Sequence, residues 1–373
     1  MKLRLMHVMS GSAVLAGAIA AAVAAPPASK VNPLRVSMLA ASGSAADFLG
    51  AVEITITNTS RHTVRLPRWQ LPSDYIDAKL FNVSLDGVPV QYEGPMFKRG
   101  LPQAADFAIL RAGETYRTVV DLSAAYDLSR TGQYTVSFNS PLQHASTSDG
   151  AMLRQHNGLP MMAQSAPLRL WVDGSGQLDA AKGPTASASA KKPPPSGGGT
   201  VVNGVTYKGC TTTQTNTAGN AVVSARGYSE NAKGYLASST VGPRYTTWFG
   251  GYTSQRYSTA SQHFVSIDGA MDQSGGQITI NCGCNQSAYA YVYPTRPYEI
   301  FVCRAFWTAP LTGTDSKAGT LIHEMSHFNV VAGTDDVVYG QAGARQLAIS
   351  DPAAALNNAD SHEYFAENTP SQN

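Results

Sequence analysis

Two histidines and a glutamate form the most reactive cluster of side chains in this 373-residue sequence. His323 and His327 are four residues apart, so on an α-helix both imidazoles project from one face and can bind a single metal ion. Glu324 lies between them, which completes the arrangement H-E-x-x-H. In that arrangement the histidines bind zinc, and the glutamate acts as general base towards a water molecule activated by the metal. The pattern therefore predicts a catalytic zinc site on a helix.

A catalytic zinc site needs a third protein ligand and an open position for water. Metzincins supply a histidine six residues after the second histidine, but Gly333 stands at that place, which excludes this class. Asp336 is a near candidate, because Gly333 is expected to end the helix and the reversed chain can return a carboxylate to the metal. Asp335 is another possible ligand at almost the same distance.

Acidic residues near the C-terminus offer a further choice of ligand. Gluzincins take a glutamate from a later helix, and Glu363 or Glu367 could serve in this way. Asp360, Glu363 and Glu367 are spaced by three and then four residues, which places three carboxylates on one helical face. A solvated acidic stripe at the start of a helix would give the same spacing, since the helix dipole favours acids there. The spacing leaves these interpretations open.

The neighbours of the cluster predict that its helix is buried. Leu321, Ile322 and Phe328 are apolar, and a buried Glu324 without a partner would be costly. This cost argues against a purely structural pair of histidines. A secreted, non-enzymatic module with a structural zinc is a further alternative, and it would require a closed site with four ligands.

Composition and the N-terminus indicate an exported, folded protein. The chain is 43% hydrophobic and 14% charged with a net charge of +2, which predicts about two folded domains and no nucleic-acid partner. Lys2 and Arg4 precede an apolar run that reaches small residues at Ala22 and Ala24. This is typical of a secretory signal peptide spanning residues 1–24, which predicts an extracellular protein without a stable membrane anchor.

The cysteines support the same compartment. Cys210, Cys282, Cys284 and Cys303 all lie in the C-terminal half. An even number of cysteines in an exported chain predicts two disulfides. The C-x-C spacing of the middle pair is not that of a zinc site, which usually has two intervening residues.

Three segments follow the signal peptide. Residues 25–173 contain short runs of alternating apolar and polar residues, separated by Gly, Asp and Asn turns, which predict an all-β sandwich of immunoglobulin-like type. Residues 174–200 are rich in Ala, Ser, Pro and Gly and are interpreted as a flexible linker. Residues 201–373 contain strand-like runs and then helical periodicity from about Ser316, which predicts an α+β domain.

The zinc motif and its surroundings resemble the aspzincins, the deuterolysin and peptidyl-Lys metalloendopeptidase family. H-E-x-x-H followed by G-T-x-D-x-x-Y-G is the signature of that family. In this chain it reads His323, Glu324, His327, Gly333, Thr334, Asp336, Tyr339, Gly340. The segments "KAGTLIHEMSHF", "YVYPTRPYEIFVC", "AFWTAP" and "NADSHEYFAEN" are also similar to the family, so the resemblance covers the second domain. It implies a zincin-type catalytic domain made as a preproprotein.

The resemblance assigns roles to individual residues. It implies three ligands for one catalytic zinc ion: His323, His327 and Asp336. The family pattern, rather than the spacing, chooses Asp336 over Asp335. Glu324 is implied as general base, and Tyr339 as the donor that binds the oxyanion of the tetrahedral intermediate. The implied disulfide pairs are Cys210 with Cys282 and Cys284 with Cys303.

The resemblance also implies a substrate. In peptidyl-Lys members, an Asp and a Glu at the positions of Asp360 and Glu363 line the pocket for the residue just after the scissile bond. Two carboxylates in a partly desolvated pocket would select a lysine ammonium, which predicts cleavage of proteins and peptides on the amino side of lysine. A preference for lysine over arginine follows from the resemblance and not from charge.

The first domain is expected to be a propeptide. A β-sandwich on a cleavable linker suits an inhibitor or a folding aid for a protease that must stay inactive until export. The domain lacks cysteine, so it cannot inhibit by placing a thiolate on zinc. If the enzyme matures itself, the expected cut in the linker lies between Ala190 and Lys191, because Lys192 is followed by Pro193.

Overall fold

The computed structural model describes residues 32–42, 50–73, 76–174, 198–239 and 241–372. The predicted signal peptide and the Ala190–Lys191 processing site lie outside the described residues. Residues 32–174 are β-rich, as their alternating pattern predicts. Their strands are β1 Leu34–Ala40, β2 Ala51–Asn58, β3 Val64–Pro67, β4 Phe81–Leu85, β5 Val88–Pro89, β6 Met96–Lys98, β7 Phe107–Leu110, β8 Thr115–Asp121, β9 Gly132–Pro141, β10 Ser146–Thr147, β11 Met162–Gln164 and β12 Leu168–Val172.

Antiparallel pairing organises this N-terminal region. The strand orders are β1-β2-β8, β10-β3-β7 and β11-β9-β4-β5, with β12 also paired to β9. Alternate residues of β9 point inwards, and Tyr134, Val136 and Phe138 are each about 1% exposed. Period-two burial of this kind lets one face of a strand pack on the core while the other stays polar.

The C-terminal region combines a sheet with helices, as expected for an α+β domain. Its strands are β13 Thr200–Val202, β14 Val205–Lys208, β15 Thr279–Asn281, β16 Ala290–Val292 and β17 Glu299–Val302. Its helices are α1 Thr212–Ala237, α2 Pro243–Phe249, α3 Ser254–Met271, α4 Arg304–Thr308, α5 Lys317–His327, α6 Gly340–Ser350, α7 Pro352–Leu356 and α8 Ala359–Glu367. No helix among the described residues has both the length and the apolar character needed to cross a bilayer.

The sequence interpretation missed four of these helices, α1 to α4, because it recognised helical periodicity only from about Ser316. The buried face of α1 is mostly alanine, including Ala218, Ala221 and Ala225, and most of the other residues of that helix are polar. Such a helix has little contrast between its faces, so its period is hard to detect in the sequence. The long α1 packs on α3 and α5, and thereby supports the metal motif from behind.

One strand of the N-terminal region completes the sheet of the C-terminal region. The strand order is β13-β14-β15-β17-β16-β6, and β6 pairs with β16 in antiparallel orientation. Tyr291 lies opposite Phe97 and Ala290 lies opposite Lys98. The division at the linker that the sequence suggested therefore does not separate the molecule into two unconnected bodies.

Helix α5 carries the metal motif and is buried along its whole length. Ser316 is its N-cap residue, and the Ser316 hydroxyl accepts a hydrogen bond from Gly319 N. The expectation that Gly333 ends this helix is wrong. The helix ends at His327, because Phe328 turns into the core with an extended backbone and its carbonyl accepts hydrogen bonds from the following turn, including Gly333 N.

Both disulfides have the pairing that the family resemblance implied. Cys210 is bonded to Cys282, which joins the start of α1 to the end of β15. Cys284 is bonded to Cys303, which joins the two ends of the segment that contains β16 and β17. The second disulfide lies against the strand pair formed by β6 and β16.

Candidate active site

His323, His327 and Asp336 come together at the C-terminal half of α5. Oδ1 of Asp336 lies 3.1 Å from Nε2 of His323 and 3.5 Å from Nε2 of His327. Ligands that surround a tetrahedral zinc ion at about 2.0–2.1 Å are themselves roughly 3.3 Å apart. Nε2 of His327 is buried without a hydrogen-bond partner among the described residues, as a metal ligand would be. These three residues could therefore hold zinc.

The other ring nitrogen of each histidine is fixed by a neighbour. Nδ1 of His327 donates to the carbonyl oxygen of Thr334 at 2.8 Å, which leaves Nε2 as the free donor atom for a metal. Nδ1 of His323 lies 2.8 Å from Asp360 and 3.3 Å from Glu363, a close charged contact without the alignment of a hydrogen bond. Such outer contacts orient metal ligands and raise their basicity.

Asn358 holds the segment that carries Asp336, and the sequence reasoning missed it. Its side-chain oxygen accepts hydrogen bonds from Val337 N at 3.1 Å and Val338 N at 3.0 Å. Asn358 is itself buried at the start of α8. The segment after α5 is thus tied to α8, and this connection brings Asp336 back to the histidines.

Asp335 has a different environment from its neighbour. Its carboxylate accepts hydrogen bonds from Lys79 at 2.8 Å and from Asn357 at 2.8 Å, on the outside of the turn. The choice between Asp335 and Asp336, which the spacing left open, is therefore made by the direction of the turn, and it favours Asp336.

Glu324 and Tyr339 both contact the backbone of β6. Oε1 of Glu324 accepts a hydrogen bond from Lys98 N at 3.3 Å, and the Tyr339 hydroxyl donates to the carbonyl oxygen of Phe97 at 3.0 Å. Burial raises the pKa of Glu324 to about 7, so it can accept and release a proton near neutral pH. Burial also raises the pKa of Tyr339 well above 10.0, so the phenol stays a hydrogen-bond donor.

The side chain of Lys98 fills an acidic pocket beside this site. Its Nζ lies 2.6 Å from Glu363, 3.3 Å from Asp315 and 3.9 Å from Asp360, and the side chain is 2% exposed. Burial alone lowers the pKa of Lys98, but the three carboxylates raise it well above 10.5, so the ammonium remains charged. The ring of Tyr289 lies 5.0 Å from Nζ, a distance typical of a cation–π contact.

Asp315 is the member of this pocket that the sequence reasoning did not find. It precedes the N-cap of α5 and belongs to no recognised motif. Its Oδ1 also accepts a hydrogen bond from the Tyr364 hydroxyl at 2.7 Å, which fixes the carboxylate towards Lys98. Only the folded chain brings this turn against α8.

The acids of α8 are buried, so their interpretation as a solvated stripe is wrong. Glu367 accepts hydrogen bonds from Ser316 N at 2.9 Å and from the Ser316 hydroxyl at 2.7 Å. A Cβ at Gly319 would approach the Glu367 carboxylate to 2.1 Å, so glycine is what permits this contact. Glu367 therefore supports the start of α5, and Glu363 contacts Lys98, which leaves neither gluzincin-type ligand directed to the Nε2 side of the histidines.

Comparison with known proteins identifies the family. The family model described as a lysine-specific metallo-endopeptidase, aspzincin M35, matches residues 235–367. An extracellular protease of Aeromonas hydrophila is 45% identical over 325 residues, which cover 86% of this chain and 89% of the relative. The chain belongs to the aspzincin family. This aspzincin is accordingly a zinc metalloendopeptidase, as its motif predicted.

Two fungal relatives cover different parts of this aspzincin. A peptidyl-Lys metalloendopeptidase of Grifola frondosa is 35% identical over 332 residues, covering 86% of this chain and 88% of the relative. A peptidyl-Lys metalloendopeptidase of Pleurotus ostreatus is 50% identical over 167 residues, covering 44% of this chain and 98% of the relative. The similarity to the Aeromonas and Grifola relatives thus extends over both regions of the chain. The relative from Pleurotus matches less than half of the length of this chain.

The ligand geometry predicts how zinc binding responds to substitution. Asp336→Ala removes one of the three candidate ligands and is expected to weaken zinc binding by at least about 100-fold, whereas Glu363→Ala should retain the metal. Metal content after dialysis against a graded zinc buffer measures both. Asp335→Ala is the matched control and should bind zinc like the wild type. If Glu363→Ala lost zinc while Asp336→Ala retained it, this ligand set would be contradicted.

Proposed function

We propose that this aspzincin is a secreted endopeptidase that hydrolyses peptide bonds on the amino side of lysine, with one zinc ion held by His323, His327 and Asp336. The observation that carries the proposal is the burial of the Lys98 ammonium between Glu363 and Asp315, next to the metal motif. A lysine side chain of the protein itself thus occupies the pocket that the family pattern implied for substrate lysine.

The proposed chemistry divides the work between the metal and the side chains. A zinc ion at this place would polarise the substrate carbonyl and make an adjacent water molecule more acidic. Glu324 would take a proton from the attacking water and deliver it to the leaving amine, for which a pKa of about 7 is suitable. The Tyr339 hydroxyl would donate to the carbonyl oxygen as negative charge develops, a contribution of about 3 kcal/mol for one such donor.

The shape of the pocket supports selection of lysine. The ammonium is a compact charge with three donors, and it meets carboxylates of Glu363 and Asp315 within 3.3 Å. The rings of Tyr289 and Tyr364 lie 5.0 and 5.8 Å from Nζ and close the remaining sides. A planar guanidinium is wider and needs paired acceptors in its own plane, so arginine should fit this pocket less well.

The N-terminal region is proposed to be an immunoglobulin-like propeptide that inhibits the precursor. Its strand β6 lies along the edge strand β16, and Lys98 occupies the acidic pocket, so a substrate cannot bind there at the same time. Secretion is supported by the predicted signal peptide and by the Aeromonas relative, which is named an extracellular protease. A closed structural zinc site is disfavoured, because the cluster around His327 contains three ligand residues among those described.

The role of Glu324 predicts a specific kinetic loss. Glu324→Gln in the processed enzyme should retain zinc and lose about 100- to 10,000-fold in kcat, because the proton acceptor is removed and the ligands are not. Hydrolysis of a lysine-containing peptide, with products identified by mass spectrometry, measures the rate and the site of cleavage. The wild type should cut before lysine. A Glu324→Gln enzyme of full activity, or cleavage unrelated to lysine, would overturn the proposal.

The third carboxylate predicts a loss of selectivity. Asp315→Asn in the processed enzyme should lower kcat/KM for lysine peptides by about tenfold, because one charge-assisted contact to the ammonium becomes neutral. The exposed Asp272→Asn is the matched control and should match the wild type. Paired peptides that differ only in lysine or arginine after the scissile bond measure the preference. An unchanged kcat/KM in Asp315→Asn would remove Asp315 from the recognition site.

Inhibition by the N-terminal region predicts the behaviour of the intact precursor. Lys98→Ala should raise the initial rate of peptide hydrolysis by the precursor by at least about tenfold, because the buried ion pair that holds β6 in place is lost. Intact mass measured at the same times establishes that the precursor is still uncut. If the uncut wild-type precursor were already as active as the processed enzyme, inhibition by the N-terminal region would be contradicted.

A further inference from the structure

We propose that the peptide bond between Phe97 and Lys98 is a cleavage site that the enzyme hydrolyses within its own chain. This inference rests on the proposed function, because the same residues would perform the reaction. It adds a processing site inside the N-terminal region, distinct from the bond between Ala190 and Lys191 in the linker.

The backbone of β6 is presented in the manner of an extended substrate. It runs antiparallel to β16, and the carbonyl oxygen of Lys98 accepts a hydrogen bond from Tyr289 N at 2.9 Å. Addition of a strand to an open sheet edge is a general way to bind extended peptides, in which the backbone provides affinity and side chains provide specificity. Here the Phe97 ring packs on Tyr291, with ring centres 4.6 Å apart.

Both sides of the peptide bond meet a group that its hydrolysis requires. The carbonyl oxygen of Phe97 receives the Tyr339 hydroxyl at 3.0 Å, and the amide nitrogen of Lys98 donates to Glu324 at 3.3 Å. The side chain that follows the bond is the one in the acidic pocket. Alignment of this kind places the reacting groups close together before the reaction and reduces its entropic cost.

A cleft reaches the same bond from outside. It has a volume of about 240 Å³ and lies between the two regions, with Phe97, Asp336 and Tyr339 in its wall. Asp336 is 13% exposed at its side chain, so solvent reaches the candidate metal ligands on this side of the site. The docked strand therefore does not seal the site against the water molecule that hydrolysis consumes.

The step is a simple hydrolysis. Water adds its oxygen to the carbonyl carbon of Phe97, Glu324 accepts one proton from that water, and the same proton passes to the nitrogen of Lys98 as the C–N bond breaks. The second proton of the water leaves the new carboxyl group and is taken up by the new amine. The products are a carboxylate at Phe97 and an α-ammonium group at Lys98, and no oxidant or further reactant is needed. The cut also divides the continuous strand that covers the sheet edge.

The test follows the intact precursor after zinc is supplied. The full chain is purified in the presence of a chelator, zinc is added, and fragments are identified by intact mass and N-terminal sequencing. We expect a fragment that begins at Lys98. Its formation should have a first-order rate constant that does not depend on protein concentration. Glu324→Gln should form none, and Lys98→Ala should slow the cut by at least about 100-fold, because the residue in the pocket is gone.

Controls separate this inference from the function on which it rests. Lys79→Ala removes the other lysine of residues 32–174, which is 41% exposed at its side chain, and should leave the cut between Phe97 and Lys98 unchanged. The processed enzyme is assayed in parallel on a lysine peptide. If it cuts that peptide while the precursor keeps the Phe97–Lys98 bond intact, the inference fails and the proposed function stands. If it cuts no lysine peptide, the proposed function itself fails.

Discussion

The buried ion pair between Lys98 and Glu363 is the interaction on which the arrangement of this molecule depends. Removing an ammonium and several carboxylates from water costs several kcal/mol for each ion unless opposite charges meet at short distance. Here Nζ lies 2.6 Å from Glu363, and Asp315 and Asp360 complete its surroundings. The lysine comes from one region and the acids from the other, so the same contact neutralises the pocket and joins the two regions.

Helix α8 links this pocket to the metal motif. Asp360 lies 2.8 Å from Nδ1 of His323 and also faces Lys98, and its other oxygen accepts a hydrogen bond from Gly340 N. Asn358 is the N-cap residue of the same helix, and its side-chain oxygen accepts a hydrogen bond from the segment that carries Asp336. The acidic pocket and the candidate metal ligands are therefore coupled through one short helix, because its polar groups contact both.

Features that depend on neighbouring residues could be predicted from the sequence, and features that depend on contacts between distant segments could not. The positions of His323 and His327 on one helical face depend on local periodicity, and the β-rich character of the N-terminal region on simple alternation, so both were predicted. Helix α1 was missed because its buried face is small and weakly apolar. Asp315 and Asn358 were missed because their roles depend on contacts with distant segments, for which a single sequence carries no local pattern.

By itself, the sequence determined the chemistry that this protein can perform: a two-histidine metal motif with a base between its ligands, acids spaced along one helical face, and cysteines suited to an exported chain. Residue type and short-range periodicity are sufficient for those conclusions. Tertiary structure decided which acids do what. The turn after α5 directs Asp336 inwards and Asp335 outwards, and Glu367 is used to support α5. Tertiary structure also placed Lys98 in the acidic pocket. Strand β6 is distant in sequence from β16, and only folding pairs the two strands at the edge of the sheet.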